Sequence, residues 1–273
     1  MKMPARQHGI CKRPGGVCLH YTLQGQGQPL LLLHGLAVNA DMNWRYCGWL
    51  RRLARRYRVI TLDLRGHGRS SKPRQIEQYG LELAQDVPAL LDHLGIEKTH
   101  LAGYSLGGFI ALKTCILYPQ RIDRAVLLAS GWVDSADALL FKNLEQWADN
   151  FLQHAPYRSV LTVFDDAIGL PNRFETWVEY QFVQRMNNRH VLHAVVKSLS
   201  ELAVSRAELA QLTIPLRLIV GAEDPLLGAA RKLLEQNDSV DFHVLEKSDH
   251  VRLACRKKAV TLIEEWCAPV SAG

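Results

Sequence analysis

The chain has 273 residues, 48% of them apolar and 22% charged, with a formal net charge of +6. That balance excludes a disordered chain, a collagen-like chain and a long coiled coil, and a chain of this length buries a large core without staples. At about 150 residues per domain the length allows a little under two domains, or one α/β domain carrying an insertion.

In chain order, Val17–Gln24 reads as a first strand, ended by Gly25-Gln26-Gly27. Leu30–Leu33 is a short apolar run that ends at His34-Gly35, the pattern of a buried central strand. Trp44–Arg56 reads as a helix with Trp44, Leu50, Leu53 and Ala54 inward, and Arg58–Leu62 as the next strand, running into the loop Asp63–Ser71. Leu81–Leu94 reads as a helix that Pro88 should kink or break. Thr99–Tyr104 is a strand, Leu106–Tyr118 a helix ended near Pro119, and Arg124–Leu128 a strand. From Trp132 to Ser205 only helical patterns follow, with Trp132, Trp147 and Trp177 among them. The strand–helix rhythm returns after Pro215, with strands Leu216–Val220 and Phe242–Leu245 and helices Leu226–Gln236 and Arg256–Trp266. This alternation argues for a parallel α/β sheet. The domain reading is a core of residues 1–131 and 206–273, with residues 132–205 inserted as a helical lid. Two independent domains are the alternative.

The charge is uneven. Residues 1–74 hold 14 Lys/Arg against two acids, Asp41 and Asp63, while residues 75–273 hold 19 against 25. The run Arg51, Arg52, Arg55, Arg56, Arg58 reads first as a solvated helix face. The sharper reading is docking of an acidic partner. Nucleic acid is disfavoured, because no recognition motif accompanies the basic run. The six cysteines, Cys11, Cys18, Cys47, Cys115, Cys255 and Cys267, form no CxxC pair and are too sparse for a disulfide scaffold. Met1–Gly16 has no apolar segment of a signal peptide, and no apolar run approaches the ~20 residues of a membrane span. The expectation is a cytoplasmic protein with reduced thiols and no membrane span.

The chemistry concentrates in Gly103-Tyr104-Ser105-Leu106-Gly107-Gly108, between a predicted strand and a predicted helix. That context suits a nucleophile elbow: a serine on a tight turn crowds its neighbours, and the glycines remove the crowding side chains. A serine there also sits at a helix N-terminus, which favours developing negative charge. At the end of Leu30–Leu33, His34-Gly35-Leu36 can turn the Leu36 N–H toward Ser105, where with the Leu106 N–H it makes an oxyanion hole. His34 is given a positioning role. The serine needs a base, and the base an orienter. His250 follows the last strand and can lean over the sheet edge. His243 lies within that strand, His93 and His100 at the opposite edge, and His190 and His193 in the lid, where they line a pocket at most. Asp224 follows Leu216–Val220 and is the first choice of orienter. Its rivals are Glu223, expected to point away, and Asp134. There is no H-E-x-x-H, no zinc spacing and no G-x-G-x-x-G, so neither metal nor cofactor is expected.

These anchors resemble the α/β-hydrolase fold family from about Val17 to Trp266. The specific matches are Leu30–Gly35, Asp63-Leu64-Arg65-Gly66-His67-Gly68-Arg69-Ser70, Gly103–Gly108, Gly221–Asp224 and Asp249-His250. The resemblance implies a mostly parallel sheet flanked by helices, with Ser105 as nucleophile, His250 as base, Asp224 as acid in the order Ser…Asp…His, and Leu36 and Leu106 as oxyanion donors. It gives the Asp63–Ser70 loop a structural role. Asp249 departs from the small residue usual before the histidine, and a second carboxylate there can compete with Asp224. The implied activity is hydrolysis of a small or medium, largely apolar carboxylic ester through an acyl-enzyme. A thioesterase acting on an acyl carrier, a C–C bond hydrolase, a cofactor-free haloperoxidase and a hydrolase-like ligand receptor are the alternatives.

Overall fold

A computed structural model describes residues 5–152 and 185–269. Eight strands form one sheet in the order β1-β2-β4-β3-β5-β6-β7-β8. They are β1 (Gln7–Lys12), β2 (Cys18–Gln24), β3 (Gln28–Leu33), β4 (Tyr57–Leu62), β5 (Thr99–Tyr104), β6 (Ile122–Leu128), β7 (Leu216–Gly221) and β8 (Asp241–Leu245). β2 runs antiparallel to both neighbours, and every other pairing is parallel. The helices used below are α1 (Trp49–Leu53), α2 (Leu81–His93), α3 (Leu106–Leu117), α4 (Ala138–Leu152), α5 (Arg189–Lys197), α6 (Arg206–Leu209), α7 (Leu227–Gln236) and α8 (Lys257–Trp266).

The central strands are apolar at consecutive positions because helices cover both faces. Leu31 and Leu33 of β3 join one buried cluster with Leu83, Val87, Leu90, Ile110 and Ala111 of α2 and α3. Leu30 and Leu32 point the other way, into a cluster with Leu50, Leu53, Val260 and Ile263 of α1 and α8. Strand periodicity alone produces that division.

Three sequence expectations need correction. Trp44–Arg56 is not one helix: a π-helical turn, Asp41–Arg45, and α1 are separated by Gly48 at φ 79°. The inward residues Trp44, Leu50, Leu53 and Ala54 are nonetheless buried. Pro88 does not interrupt α2, which runs from Leu81 to His93. A mid-helix proline costs ~3 kcal/mol, but Leu83, Val87, Leu90 and Leu91 are fully buried, each worth about 1.5–3 kcal/mol. The strand β1 was not expected from the sequence. It is an edge strand in which only Cys11 is buried, so it carries little hydrophobic pattern.

Between β6 and β7 the described residues form α4, α5, a 3-10 turn at Leu199–Leu202 and α6, with one isolated bridge, Asp134–Val204. Trp147 packs with Leu144, Ala148, Leu192 and Val196 in a small core of their own. Residues 153–184, including Trp177, lie outside the described residues. Among the described residues no helix is long and apolar enough to cross a membrane.

The thiols also depart from expectation. Cys47 and Cys255 are paired in a disulfide, whereas Cys11, Cys18, Cys115 and Cys267 are free. The pair is 208 residues apart in sequence, so no spacing motif announces it. The basic run is mostly solvated: Arg51, Arg55 and Arg56 are exposed, while Arg52 binds Glu264 through Nε at 2.9 Å.

The loop after β4 is fastened to α2 by a buried charge pair. Arg65 donates from Nε to Asp86 Oδ2 at 3.0 Å and from Nη2 to Oδ1 at 2.6 Å. Arg13, entering from the end of β1, reaches the same carboxylate at 2.9 Å. Both Arg65 and Asp86 are almost fully buried, so removing one partner strands the other. Arg65→Met is expected to lower unfolding free energy by about 3 kcal/mol, the low end for breaking a buried pair because Arg13 still reaches Asp86. The midpoint of a urea titration checks it, and Arg65→Met with Asp86→Leu should recover part of the loss.

Candidate active site

Ser105 occupies the turn from β5 into α3 with φ 52° and ψ −117°, a conformation that side chains other than glycine rarely adopt. The turn closes because its neighbours are bare. A Cβ on Gly103 would stand 2.0 Å from the Gly107 carbonyl oxygen, and one on Gly107 would stand 2.3 Å from that of Leu33. The Ser105 N–H donates to the Leu128 carbonyl at 2.8 Å, and its own carbonyl accepts from the Gly108 N–H at 2.8 Å.

Ser105, His250 and Asp224 meet at the carboxyl edge of the sheet. Ser105 Oγ lies 3.0 Å from His250 Nε2. His250 Nδ1 lies 3.0 Å and 3.1 Å from the two oxygens of Asp224. An ionised carboxylate only accepts, so Nδ1 carries the proton and Nε2 is left to accept from the serine hydroxyl. The Asp224 side chain is fully buried, and its Oδ1 also accepts the Leu226 N–H at 2.9 Å. This arrangement can activate a hydroxyl for attack on a carbonyl.

The rivals lie elsewhere. Asp134 accepts from Arg206 at 3.1 Å and from the Ala136 N–H. Glu223 is exposed and lies 4.0 Å from Arg252. Asp249 accepts the Val251 and Arg252 N–H groups at 3.0 and 2.7 Å. It therefore caps its own turn and does not compete for His250. His193 binds Asp149, and neither it nor His190 lines the cavity beside Ser105. His243 pairs with Asp241 within β8.

The loop after β3 lies against Ser105. A Cβ on Gly35 would stand 3.4 Å from Ser105 Cβ, and Leu36 and Leu106 line the same cavity as Ser105. Leu106 is the first residue of α3, so its N–H has no intrahelical acceptor. Two buried histidines shape this loop from below. His34 Nε2 accepts the Leu64 N–H at 2.9 Å, and its Nδ1 donates to the Gly35 carbonyl at 2.8 Å. His67 Nε2 accepts the Ala37 N–H at 3.2 Å, and its Nδ1 donates to the Arg65 carbonyl at 3.1 Å. Both rings are therefore neutral. Burial pushes the His34 pKa down and pushes that of His67 down to about 3.

Sequence reasoning missed His67 as a partner, although it sits in the motif read as structural. It also missed Tyr104, whose hydroxyl donates to the His250 carbonyl, and Asn43, whose Oδ1 accepts the Gly35 N–H at 2.9 Å. Tyr104 adjoins the serine and was legible as part of the elbow; Asn43 carries no local signal. Asn187 was missed too: its amide donates to the Ala37 carbonyl at 2.9 Å, which helps hold Ala37 at φ 61°.

A cavity of about 700 Å³, open solvent at its mouth included, opens beside Ser105. Phe109 and Leu112 come from α3, Phe141 and Leu144 from α4, and Trp132 and Leu226 from the flanking loops. Among the described residues no charged side chain lines it. Among the described residues no cluster of His, Cys, Asp or Glu could hold a metal ion.

Residues 28–250 match the family described as alpha/beta hydrolase fold. One segment is 44% identical over 117 residues to the dihydrolipoyllysine-residue acetyltransferase component of an acetoin cleaving system from Pseudomonas putida, covering 42% of this chain and 30% of that protein. Another match is epoxide hydrolase 4 of Mus musculus, 39% identical over 119 residues, 42% of this chain and 32% of that one. The chain thus spans about a third of the length of these curated relatives. Among solved structures, a hydrolase from Pseudomonas aeruginosa superposes with a TM-score of 0.76 at 25% identity, covering 96% of this chain and 99% of that one. An esterase from Thermogutta terrifontis superposes with a TM-score of 0.74 at 22% identity, covering 96% and 98%.

The neutral histidines make stability depend on pH. A His67 pKa below its unfolded value means that the unfolded chain binds the extra proton. The stabilisation is whole above about pH 6.5 and is lost as pH falls toward about 3. Between about pH 7 and about pH 5 this amounts to about 2 kcal/mol for His67. His67→Gln keeps an acceptor for Ala37 and a donor for Arg65 without titrating. Urea titrations at both pH values should show the variant losing about 2 kcal/mol less than the parent on acidification.

Proposed function

The chain belongs to the alpha/beta hydrolase fold family, and from that premise we propose that it is a serine hydrolase that cleaves carboxylic esters of small or medium, largely apolar substrates. The observation that carries the reading is the 3.0 Å contact between Ser105 Oγ and His250 Nε2, with Asp224 behind the ring, facing a cavity that the described residues line with apolar side chains. Ser105 Oγ attacks the ester carbonyl carbon while its proton passes to His250 Nε2. Asp224 holds the imidazole and stabilises its charged form. The oxyanion is bound by the Leu36 and Leu106 N–H groups, each donor worth about 3–4 kcal/mol in comparable sites. Collapse breaks the bond to the alcohol oxygen, which takes the proton from His250. Water, losing its proton to His250, then attacks the acyl-serine and releases the acid.

The site chemistry favours esters over epoxides. A serine that opened an epoxide would form an ether, which this machinery has no means of hydrolysing; a carbonyl substrate gives an ester, which it does. The apolar lining selects a neutral acyl or alcohol group. Residues 132–205 act as a lid in this reading, with Phe141 and Leu144 closing over the cavity. The exposed arginines at 51, 55 and 56 precede β4, at the sheet edge opposite Ser105. An acidic carrier docked there would hold its thioester a strand's length, ~20 Å, from the serine, so the thioesterase alternative gains no support from the basic run.

A fluorophosphonate probe should add once to the chain and not at all to Ser105→Ala. Against p-nitrophenyl esters of increasing acyl length, kcat/KM should rise with apolar length and collapse for a charged acyl group. Ser105→Ala should lower kcat by about 10⁴-fold or more. A folded sample that neither labels nor turns over any ester would overturn the reading.

A further inference from the structure

We propose that the Cys47–Cys255 disulfide is a thiol-exchange site, through which a small anionic thiol of the glutathione kind controls the order of the loop that carries His250. The effect on activity rests on the function proposed above. The two half-cystines border the two sides of the candidate site. Cys255 ends the 3-10 turn Arg252–Cys255, five residues after His250. Cys47 follows the turn Asp41–Arg45, whose Asn43 holds the Gly35 N–H. One covalent bond therefore joins the histidine loop to the segment behind Gly35 and Leu36.

Three further ties of the histidine loop lie on its inner side. Tyr104 donates to the His250 carbonyl, the Glu223 N–H donates to the Ser248 carbonyl at 3.0 Å, and Leu253 is buried. On the outer side, Val251 and Arg252 are exposed and Asp249 is bound only within its own turn. There Arg252 lies 4.0 Å from Glu223 and Arg256 donates to the Glu246 carbonyl at 2.7 Å, and the disulfide is the covalent anchor of that side.

It is also reachable. Cys255 is exposed and Cys47 half-buried. Cys255 opens onto a surface hollow that it shares with Arg256, Lys257, Lys258 and Glu246. Three cations against one carboxylate attract an anionic thiol and stabilise a thiolate. The incoming thiolate attacks Cys255 Sγ, and the Cys47–Cys255 bond breaks. Cys47 leaves as a thiolate and takes up a proton, with a mixed disulfide left on Cys255. A second thiolate attacks the small-molecule sulfur of that mixed disulfide, releasing the Cys255 thiol and the oxidised small thiol. Two electrons pass from two small thiols to the protein. The freed loop keeps its inner ties and stays folded, but His250 loses part of its alignment with Ser105.

The full-length protein is equilibrated in glutathione buffers from fully oxidised to fully reduced, and intact mass after alkylation gives the disulfide fraction. Fluorophosphonate labelling of Ser105 and hydrogen exchange of residues 246–255 are read on the same samples. Reduction should slow labelling between about tenfold and about a hundredfold, the scale of a misplacement near 1 Å. It should also speed exchange in 246–255 but not in 99–104, and reoxidation should reverse both. The double variant Cys47→Ser, Cys255→Ser should match the reduced protein in every buffer. Equal labelling and equal exchange in the two states, with masses proving the change of state, would overturn the proposal. So would free thiols at both cysteines in oxidised glutathione. If Ser105 labels in neither state, the proposed function fails, and the exchange of 246–255 alone decides for or against redox control of the loop.

Discussion

The turn at Ser105 is the constraint around which the site is arranged. A side chain at φ 52° and ψ −117° costs on the order of 1–3 kcal/mol and persists only where the surroundings over-determine it. Here they do. β5 is paired on both sides, Leu33 of β3 opposite Gly103 and Leu128 of β6 opposite Tyr104. The Ser105 N–H is bound to β6, and the missing side chains of Gly103 and Gly107 let α3 begin at once against β3. Because Leu33 is in register with Gly103, the residues that follow β3 fall beside the serine. The same parallel order carries the ends of β7 and β8 to this edge, and with them Asp224 and His250.

The loops beside the serine pose a different problem. Their N–H groups face the interior where no strand can pair with them, and an unpaired buried N–H is costly. His34 and His67 solve it as neutral rings, each accepting one backbone N–H and donating to one carbonyl. Their edge-to-face contact, with centroids 5.3 Å apart, fills the space between the loops. Asp63 does similar work one layer away. Burial alone would raise its pKa, but the Arg69 and Ala40 N–H groups that donate to its carboxylate hold it below the usual carboxylate value. The positioning of Leu36 is thus a matter of satisfied polar groups more than of apolar packing.

Much of this was legible in the sequence, for identifiable reasons. Thr99–Tyr104 and Leu106–Leu117 were readable because a fully buried strand, a glycine-flanked serine and a helical run follow one another without interruption. Asp224 and His250 were readable because each follows a strand and so falls at one edge of the sheet. What escaped lacks a local pattern. β1 is an edge strand with one buried side chain. The break at Gly48 depends on a left-handed residue inside an otherwise helical composition. The Cys47–Cys255 pairing and the Asn43 contact to Gly35 join residues by tertiary approach alone. Pro88 misled in the other direction, because burial of its helix outweighs a local breaking tendency.

The site is also polarised, and the proposed cycle uses that. The cavity side of Ser105 is lined by apolar groups, which exclude water and so strengthen the attraction between His250 and Asp224. Deacylation nevertheless needs a water molecule at His250 Nε2. An acyl chain seated against Phe109, Leu112 and Leu144 crowds the cavity side of the serine; among the described residues the histidine loop borders the other side. The His250 side chain keeps 13% of its surface exposed, and Val251 and Arg252 of the same loop lie open to solvent. In the proposed cycle that exposed side of His250, beside the loop that carries Cys255, is where a water can approach Nε2. In that cycle the position of the loop therefore bears on two things together: the alignment of His250 with Ser105, and the access of water to His250 Nε2.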